Sequence, residues 1–586
     1  MTRSTKLMLT AILCFAAAPL LLPEFYITLL NYIGLYSIVA LGLVLLTGVG
    51  GITSFGQAAF VGVGAYTTAV LTTWGYSPWI GLATGLALTA IAASLIGLVT
   101  LRLSGHYLPL STLAWGISLY FLFGNLEMLG GHTGITGLPE ISMFGFALDT
   151  GRKMYVLIWA VTFAAIILVA NLLDSRTGRA LRALRSGSLM AESFGIDTPR
   201  MKLVIFIMAA LLAAISGWLY AHLLRFVNPT PFSLQTGIEY LFMAVIGGVG
   251  YVWGAVVGAA LFLILKQILQ DVLPSLLGSN GNFELIALGV IMIILLQYAR
   301  DGVLQHIVPL LAAKPATVIP PDRTRLQKRP KPTSKEVILE VRNVVKSFGR
   351  LIAVNDLQFD ICGGEILGLI GPNGAGKSTL FNAITGVAPA TSGEIRFIGG
   401  RIDRLSARLI ARLGLARSFQ HVRILPEMTV IENVMLGAHL RSSASILGAL
   451  FHLERKEELT LRAEAANQLQ RVGLGDALDE LAGNLALGKQ RLIEIARALA
   501  ADPILLLLDE PAAGLRHSEK QELVALLDRL RSEGMTILLV EHDMDLVMNI
   551  VDRLVVMNFG QKIAEGVPET IQTDQMVIEA YLGCAS

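Results

Sequence analysis

Cysteine is scarce: Cys14, Cys362 and Cys584 are the only three in 586 residues. Their wide separation excludes the paired spacing of redox or metal sites, and it leaves structural or incidental roles. A reducing cytosol would not favour a disulfide among them. Charge is scarce as well. Asp, Glu, Lys and Arg make up 15% of the chain, and the net charge of +2 is too small to argue for a nucleic-acid partner. What fills the chain instead is apolar: 54% hydrophobic residues and a mean hydropathy of +0.64, more than a soluble core requires. The length exceeds one ordinary domain. Residues 7–299 hold long apolar runs with few charges, whereas 320–586 has ordinary soluble composition. The expectation is a membrane half followed by a soluble half.

Arg3 and Lys6 precede an apolar run over 7–22. A signal peptide is the alternative, but no small-residue cleavage pattern follows, which favours a first membrane helix. Further runs lie at about 27–47, 54–74, 79–101, 107–129, 154–173, 203–224, 238–250, 252–273 and 283–299, each near or below the roughly 20 residues that cross a bilayer. The short, glycine-rich 238–250 piece could instead be re-entrant. Arg176, Arg179, Arg182, Arg185, Arg200 and Lys202 form the densest basic cluster. An excess of positive charge marks cytoplasmic loops, so this loop, Arg3, Lys6 and Arg102 are expected inside and the Gly130–Thr150 loop outside. The reading is ten crossings.

Two stretches break the apolar pattern. Thr47 to Phe60 mixes glycines with small polar side chains at membrane depth, as does Gly247-Gly248-Val249-Gly250 more briefly. Irregular backbone at that depth suits a translocation path. Tight helix packing through small residues suits it equally. Asn125, Glu127 and Glu239 fall within or near spans and are functional candidates. Their closeness to the expected helix ends favours snorkelling to water instead. In the basic loop, Ala191, Glu192, Phe194 and Gly195 read as a short amphipathic helix that a cytoplasmic motor could grip, against the plainer reading of a basic loop on anionic lipid.

Five prolines among basic residues make 311–335 a semi-extended linker. The soluble half is organised around Gly371-Pro372-Asn373-Gly374-Ala375-Gly376-Lys377-Ser378-Thr379, between an apolar strand and an amphipathic helix. This fits the phosphate-binding loop. Gly371, Gly374 and Gly376 let the backbone curl N–H groups onto a phosphate chain, and the following helix start adds its dipole. Lys377 would reach the β- and γ-phosphates, and Ser378 would hold Mg²⁺. The apolar run Ile504–Leu508 ends in Asp509-Glu510, suited to orienting Mg²⁺ and polarising a water. A second run, Thr536–Val540, ends in Glu541-His542-Asp543. His542 would sit near the γ-phosphate, although alone it reads as a satisfied core histidine. Phe348 could stack on adenine; by itself it reads as core packing. Gly488 precedes a helical run and allows phosphate to approach a helix start.

Together these residues resemble the ATP-binding cassette transporters along the whole chain. The resemblance makes Gly371–Thr379 the Walker A loop, including Asn373, Ala375 and Thr379. It makes Gln420 the Q-loop glutamine, a ligand toward Mg²⁺ with Ser378 and Asp509. It makes Glu510 the catalytic glutamate, His542 the switch histidine and Phe348 the adenine-stacking aromatic. The signature departs: Leu485-Ala486-Leu487-Gly488-Lys489 lacks the usual serine, whose hydroxyl would contact the partner's γ-phosphate. Phe55-Gly56-Gln57-Ala58-Ala59-Phe60, the Gly178–Ile196 loop and Gly247-Gly248 resemble the permease of branched-chain amino-acid importers. Glu510-Pro511-Ala512-Ala513-Gly514-Leu515, Glu541-His542-Asp543-Met544 and the Ala580–Gly583 ending resemble one of their ATPases.

The resemblance implies a polytopic all-α permease over 1–310, a linker over 311–335 and an α/β nucleotide-binding domain over 336–586. It implies ATP and Mg²⁺ as cofactors, a second permease and ATPase (another copy or paralogues), an extracytoplasmic solute-binding protein, and an inner membrane with the ATPase in the cytoplasm. The solute could be a branched-chain amino acid, an amide, urea or an aromatic acid. A membrane-tethered ATPase with a mechanical or regulatory task, or a channel regulated by ATP, are the readings from other classes.

Overall fold

The computed structural model describes residues 15, 17–103, 105–143, 145–277, 283–298, 302–305, 326–333, 336–443 and 445–582. Most of the 7–22 run and of the 311–335 linker lie outside these residues, as do Arg3, Lys6, Cys14 and Cys584. The chain divides into two compact units. One joins the residues up to Leu173 with those from Pro199; the other joins Asp174–Thr198 with the soluble half.

The first unit is helical. Nine of the apolar runs are helices: Glu24–Leu43, Gln57–Thr73, Pro78–Thr100, Tyr107–Asn125, Gly151–Leu173, Thr198–Leu224, Leu234–Gly247, Gly254–Leu277 and Phe283–Tyr298. Among the described residues six helical segments are long and apolar enough to cross a membrane, fewer than the ten expected. Gln57–Thr73, Leu234–Gly247 and Phe283–Tyr298 are too short for that measure. The 14 residues of Leu234–Gly247 reach roughly 21 Å, short of a hydrocarbon core of about 30 Å. Burial orders the set: Glu24–Val49 is 78% buried, against 28% for Pro78–Thr100. Leu88, Ile91, Leu95 and Val99 are accordingly exposed, as lipid-facing side chains are. The core around the first helix gathers Leu35, Ile38, Met154, Ile158 and Trp218.

The 47–60 stretch is a break in the helix packed closely against neighbouring backbone. Glu24–Leu43 runs into a π-helical turn, Val44–Val49, and helix does not resume until Gln57. The glycines permit close backbone contact: a Cβ at Gly48 would lie 1.7 Å from the Val249 carbonyl, and one at Gly56 2.9 Å from that of Thr112. The second glycine stretch ends a helix at Gly248, where φ is +111°.

The second unit carries two sheets. One runs in the order Leu415–Arg417, Leu505–Asp509, Thr536–Val540, Ile366–Ile370, Arg553–Asn558, Gln561–Gly566, parallel except for its last strand. Its central strands are buried throughout and mostly apolar because both faces are covered. Ile366, Leu506, Leu508, Ile537 and Leu539 enter one core, and Leu367, Leu505, Leu507, Leu538 and Val540 enter the other. The second sheet is antiparallel, with Val337–Phe348 between Leu351–Cys362 and Ser392–Phe397. The described end of the expected linker lies on this unit. Arg329 N–H donates to Asp502 at 2.5 Å, and Lys331 donates to the Glu533 carbonyl at 3.2 Å.

The basic loop folds as two short helices, Arg176–Ala183 and Ser188–Ser193. The second starts earlier than expected and leaves Phe194 as its C-cap, because Gly195 at φ +81° turns the chain out of the helix.

Candidate functional site

The strand order brings the site together. Ile366–Ile370 delivers the phosphate loop at the C-terminal edge of the parallel sheet. Its neighbour Thr536–Val540 delivers His542 there, and Leu505–Asp509 delivers Asp509 and Glu510. Ligand sites of open parallel sheets form at this edge. Gly371, Gly374 and Gly376 take φ of +152°, +84° and +98°. A Cβ at Gly376 would meet the Ala353 carbonyl at 2.2 Å. Asn373 and Ser378 are exposed, and Ala375 is buried. The helix Lys377–Ile384 starts at the end of the loop, with Thr379 in its first turn. Lys377 is buried and donates to the carbonyls of Gly371 (2.7 Å) and Pro372 (3.0 Å). Burial lowers its pKa, while Glu510 and Asp509 pull it back up.

Asp509 is 3% exposed, and its Oδ1 lacks a hydrogen-bond partner. Burial pushes its pKa up to about 6, with Arg417 opposing and Glu510 adding to the rise. Glu510 sits at φ +48°, a left-handed backbone conformation uncommon for a non-glycine residue. Gln420 Nε2 donates to Glu510 Oε2 at 3.3 Å, and His542 Nδ1 stands 3.8 Å from the same oxygen. Phe348 closes the strand hairpin, is 53% exposed, and has the Lys346 ammonium 5.0 Å from its ring. Core packing is therefore excluded for this ring. Gly488 stands apart from these groups. It is the second residue of the Leu487–Ala500 helix, and the three atoms nearest a Cβ there all belong to Glu519. The N-cap is Ala486, which offers the helix no side-chain hydrogen bond.

Four supporting residues were not expected. Arg491 donates to the carbonyls of Phe419 (2.9 Å) and Gln420 (2.6 Å), fixing the Gln420 backbone. Ser418 Oγ accepts from the Asp509 N–H at 3.1 Å. Arg417 lies between the rings of Phe381 and Phe419 and donates to Thr385 at 2.7 Å; burial lowers its pKa to about 10. Glu541 is buried, accepts from the N–H groups of Ala512 (2.7 Å) and His542 (3.2 Å), and is raised in pKa by that burial. Its one sequence signal is an acid directly after an apolar run, Ile537–Val540.

Comparison with known proteins bears on both units. Residues 25–296 match a family described as branched-chain amino acid transport system / permease component. Residues 354–513 match the ABC transporter family, and 561–583 match a branched-chain amino acid ATP-binding cassette transporter family. The high-affinity branched-chain amino acid transport ATP-binding protein BraF of Pseudomonas aeruginosa is 45% identical over 42% of this chain and 98% of its own length. LivG of Escherichia coli is 44% identical over the same shares. A probable LivG of Methanocaldococcus jannaschii is 36% identical over 42% of this chain and 97% of its own. A solved nucleotide-free ATP-binding cassette from an ABC transporter is 35% identical over 42% of this chain and all of that one, with a TM-score of 0.38. A permease unit followed by a cassette whose phosphate loop, paired acids and histidine meet at one sheet edge makes this chain a member of the branched-chain amino acid ABC transporter family, with permease and ATP-hydrolysing parts fused.

Proposed function

We propose that ATP hydrolysis on this chain drives import of a branched-chain or related amino acid. The observation that carries this reading is the meeting of Lys377, Asp509, Glu510, Gln420 and His542 at one sheet edge, in a chain whose described residues include six membrane-length helices. The permease is assigned to 1–310, the linker to 311–335 and the ATPase to 336–586. The ATPase faces the cytoplasm of a cell's inner membrane, and an extracytoplasmic solute-binding protein delivers the solute.

The residue roles follow from chemistry. The curled glycine loop, with Asn373, Ala375 and Thr379, presents N–H groups to the triphosphate, and Lys377 neutralises its β- and γ-oxygens. Phe348 offers an exposed ring to adenine. Glu510, turned into the site by its backbone, accepts a proton from the attacking water. His542 and Gln420, both beside Glu510, hold that water and the γ-phosphate in line. Gly488 serves the ATP of the partner ATPase. Asp509 fits Mg²⁺, because a buried carboxylate oxygen without a hydrogen-bond partner calls for a cation. Ser378 and Gln420 would complete the protein's donors, and the ion would neutralise phosphate charge. The Asp174–Thr198 loop serves as the motor's handle on the pore.

The test is Glu510→Gln in the assembled complex. ATP binding should persist while hydrolysis and leucine uptake into proteoliposomes fall together by about 10²-fold or more. Wild-type hydrolysis in the variant removes the general-base role. Hydrolysis by the wild-type complex without leucine uptake removes the import reading.

A further inference from the structure

Glu239 and Lys266 form an ion pair inside the first unit. Lys266 Nζ donates to both carboxylate oxygens of Glu239, at 3.0 and 3.2 Å. Glu239 lies on Leu234–Gly247 and Lys266 on Gly254–Leu277. At 1.5 Å per residue, Lys266 stands about 18 Å from the Gly254 end of its span and about 12 Å from Pro274. Lys266 therefore lies inside the apolar span, just before the exposed Gln267–Asp271 hydrogen bond. Each group is held by the other.

The direction in which Lys266 points excludes lipid. Ala255, Ala259 and Phe262 are fully buried, and Lys266 continues their i, i+4, i+7 stripe. The outward stripe of the same helix is Leu261, Ile264 and Ile268, which are exposed and apolar. Charges at such depth are retained where they face a bundle interior or a watery path. Yet the pair is not sealed: the side chains of Lys266 and Glu239 keep 26% and 13% of their exposure. The two helices are locked backbone to backbone beside it. A Cβ at Gly258 would lie 1.8 Å from the Met243 carbonyl, and one at Gly247 1.8 Å from that of Gly254. Two residues before Glu239, Gly237 abuts the Phe55 carbonyl in the break between the first two long helices, where a Cβ would stand 2.6 Å away. Next to Glu239, Tyr240 takes the ring of Tyr36 edge-on at 5.1 Å, and Tyr32 lies 5.9 Å from Tyr36. A partly open ion pair thus sits on a helix that also packs on Tyr36, through Tyr240, and on the irregular backbone at Phe55, through Gly237.

We propose that this pair is a solute station for free amino acids, one that binds a zwitterion by exchange. The solute's α-ammonium takes the Glu239 carboxylate, and its α-carboxylate takes the Lys266 ammonium. The half-buried Tyr32 and Tyr36 rings flank an apolar side chain. A neutral zwitterion replaces both halves of the pair without leaving a charge alone, whereas a simple anion or cation strands one of them. With no solute present the two groups satisfy each other. The inference rests on the import reading above and names the chemistry of the step within the membrane.

The experiment uses the complete complex with its binding protein in proteoliposomes and radiolabelled leucine. Glu239→Gln and Lys266→Met should each lower leucine uptake about tenfold or more, the loss of one charge-assisted contact. Stimulation of ATPase by loaded binding protein should stay near the wild-type value. Because a lone buried charge can itself disturb folding, the double variant E239Q/K266M is decisive: it leaves no charge unpaired, and it should still fail to import. Lys266→Arg should retain uptake with a raised KM. Wild-type uptake by the double variant overturns the proposal and makes the pair a brace between helices. Joint loss of uptake and ATPase stimulation in the double variant also counts as a brace. Failure of the wild-type complex to import leucine overturns the import reading, and the station with it.

Discussion

At Asp509 burial sets the chemistry. Its folded pKa of about 6 lies above the ordinary 3.8, so the native state holds the proton more tightly than the unfolded chain. Stability from this group is therefore present at low pH and is lost as pH rises through the window from 3.8 to about 6. Removing divalent cations should make the chain more stable at pH 5 than at pH 7 by about 1–3 kcal/mol from this residue. Asp509→Asn should flatten that part of the profile, and MgATP should do so as well, because a bound cation keeps the carboxylate ionised. Thermal melts at the two pH values check this; an unchanged profile in Asp509→Asn would assign the titration elsewhere. Ala486 offers a second test. As an N-cap it leaves backbone donors without a side-chain acceptor. Ala486→Ser should add about 1 kcal/mol of stability, read as a rise in Tm. These positions were legible from sequence because phosphate chemistry fixes residue types at fixed spacing. Arg417, Glu541 and Lys266 were not, because each takes its meaning from partners distant in sequence: Phe381, Ala512 and Glu239 respectively.

Elements were legible where a long apolar run coincided with one helix or strand, as over 154–173 or Thr536–Val540. Breaks were less so. The π-helical turn Val44–Val49 only overlaps the start of the glycine-rich stretch that marks the break, and Gly48 within it packs on the Val249 carbonyl. The basic loop is the telling element. Its charges pair with opposite charges of the cassette: Arg179 with Glu458 at 2.8 Å, Arg185 with Glu427 at 2.9 Å, and Asp197 with Arg408 at 2.5 Å. At its centre Phe194 is 3% exposed, with the buried Arg497 guanidinium 4.7 Å from its ring. Phe194→Ala should cost about 3–5 kcal/mol of packing, plus about 1–2 kcal/mol of cation–π attraction. It should uncouple hydrolysis from uptake: ATPase persists while leucine import falls. Glu192 accepts from Thr198 within the loop at 2.7 Å, so Glu192→Lys should have the smaller effect. Paired ATPase and uptake rates in the complex decide; unchanged uptake in Phe194→Ala removes the loop from the coupling path.

For the whole molecule, composition alone separated an apolar half from a charged one, because membrane and water select different side chains. What composition does not carry is that Asp174–Thr198, flanked on both sides by apolar helices, belongs to the compact unit of the cassette. That membership is decided by ion pairs reaching some 200 to 300 residues along the sequence, such as Arg408 with Asp197 and Arg179 with Glu458. The same scale bears on completeness. Within one cassette the phosphate loop meets Asp509, Glu510 and His542, but Gly488 faces Glu519 instead. On the role proposed for Gly488, the remaining wall of the ATP site comes from a second cassette. If that cassette were a copy of this chain, both sites would carry Ala486 in place of a hydroxyl donor. The missing charge-assisted hydrogen bond, about 1.5–3 kcal/mol at each site, would slow closure about tenfold or more. A paralogous ATPase with a serine there would complete the site opposite this phosphate loop. The chain reconstituted by itself with the binding protein should therefore import leucine at no more than about a tenth of the rate of the complex, and Ala486→Ser should recover part of the difference. Full-rate uptake by the unmodified chain alone would establish that two copies suffice.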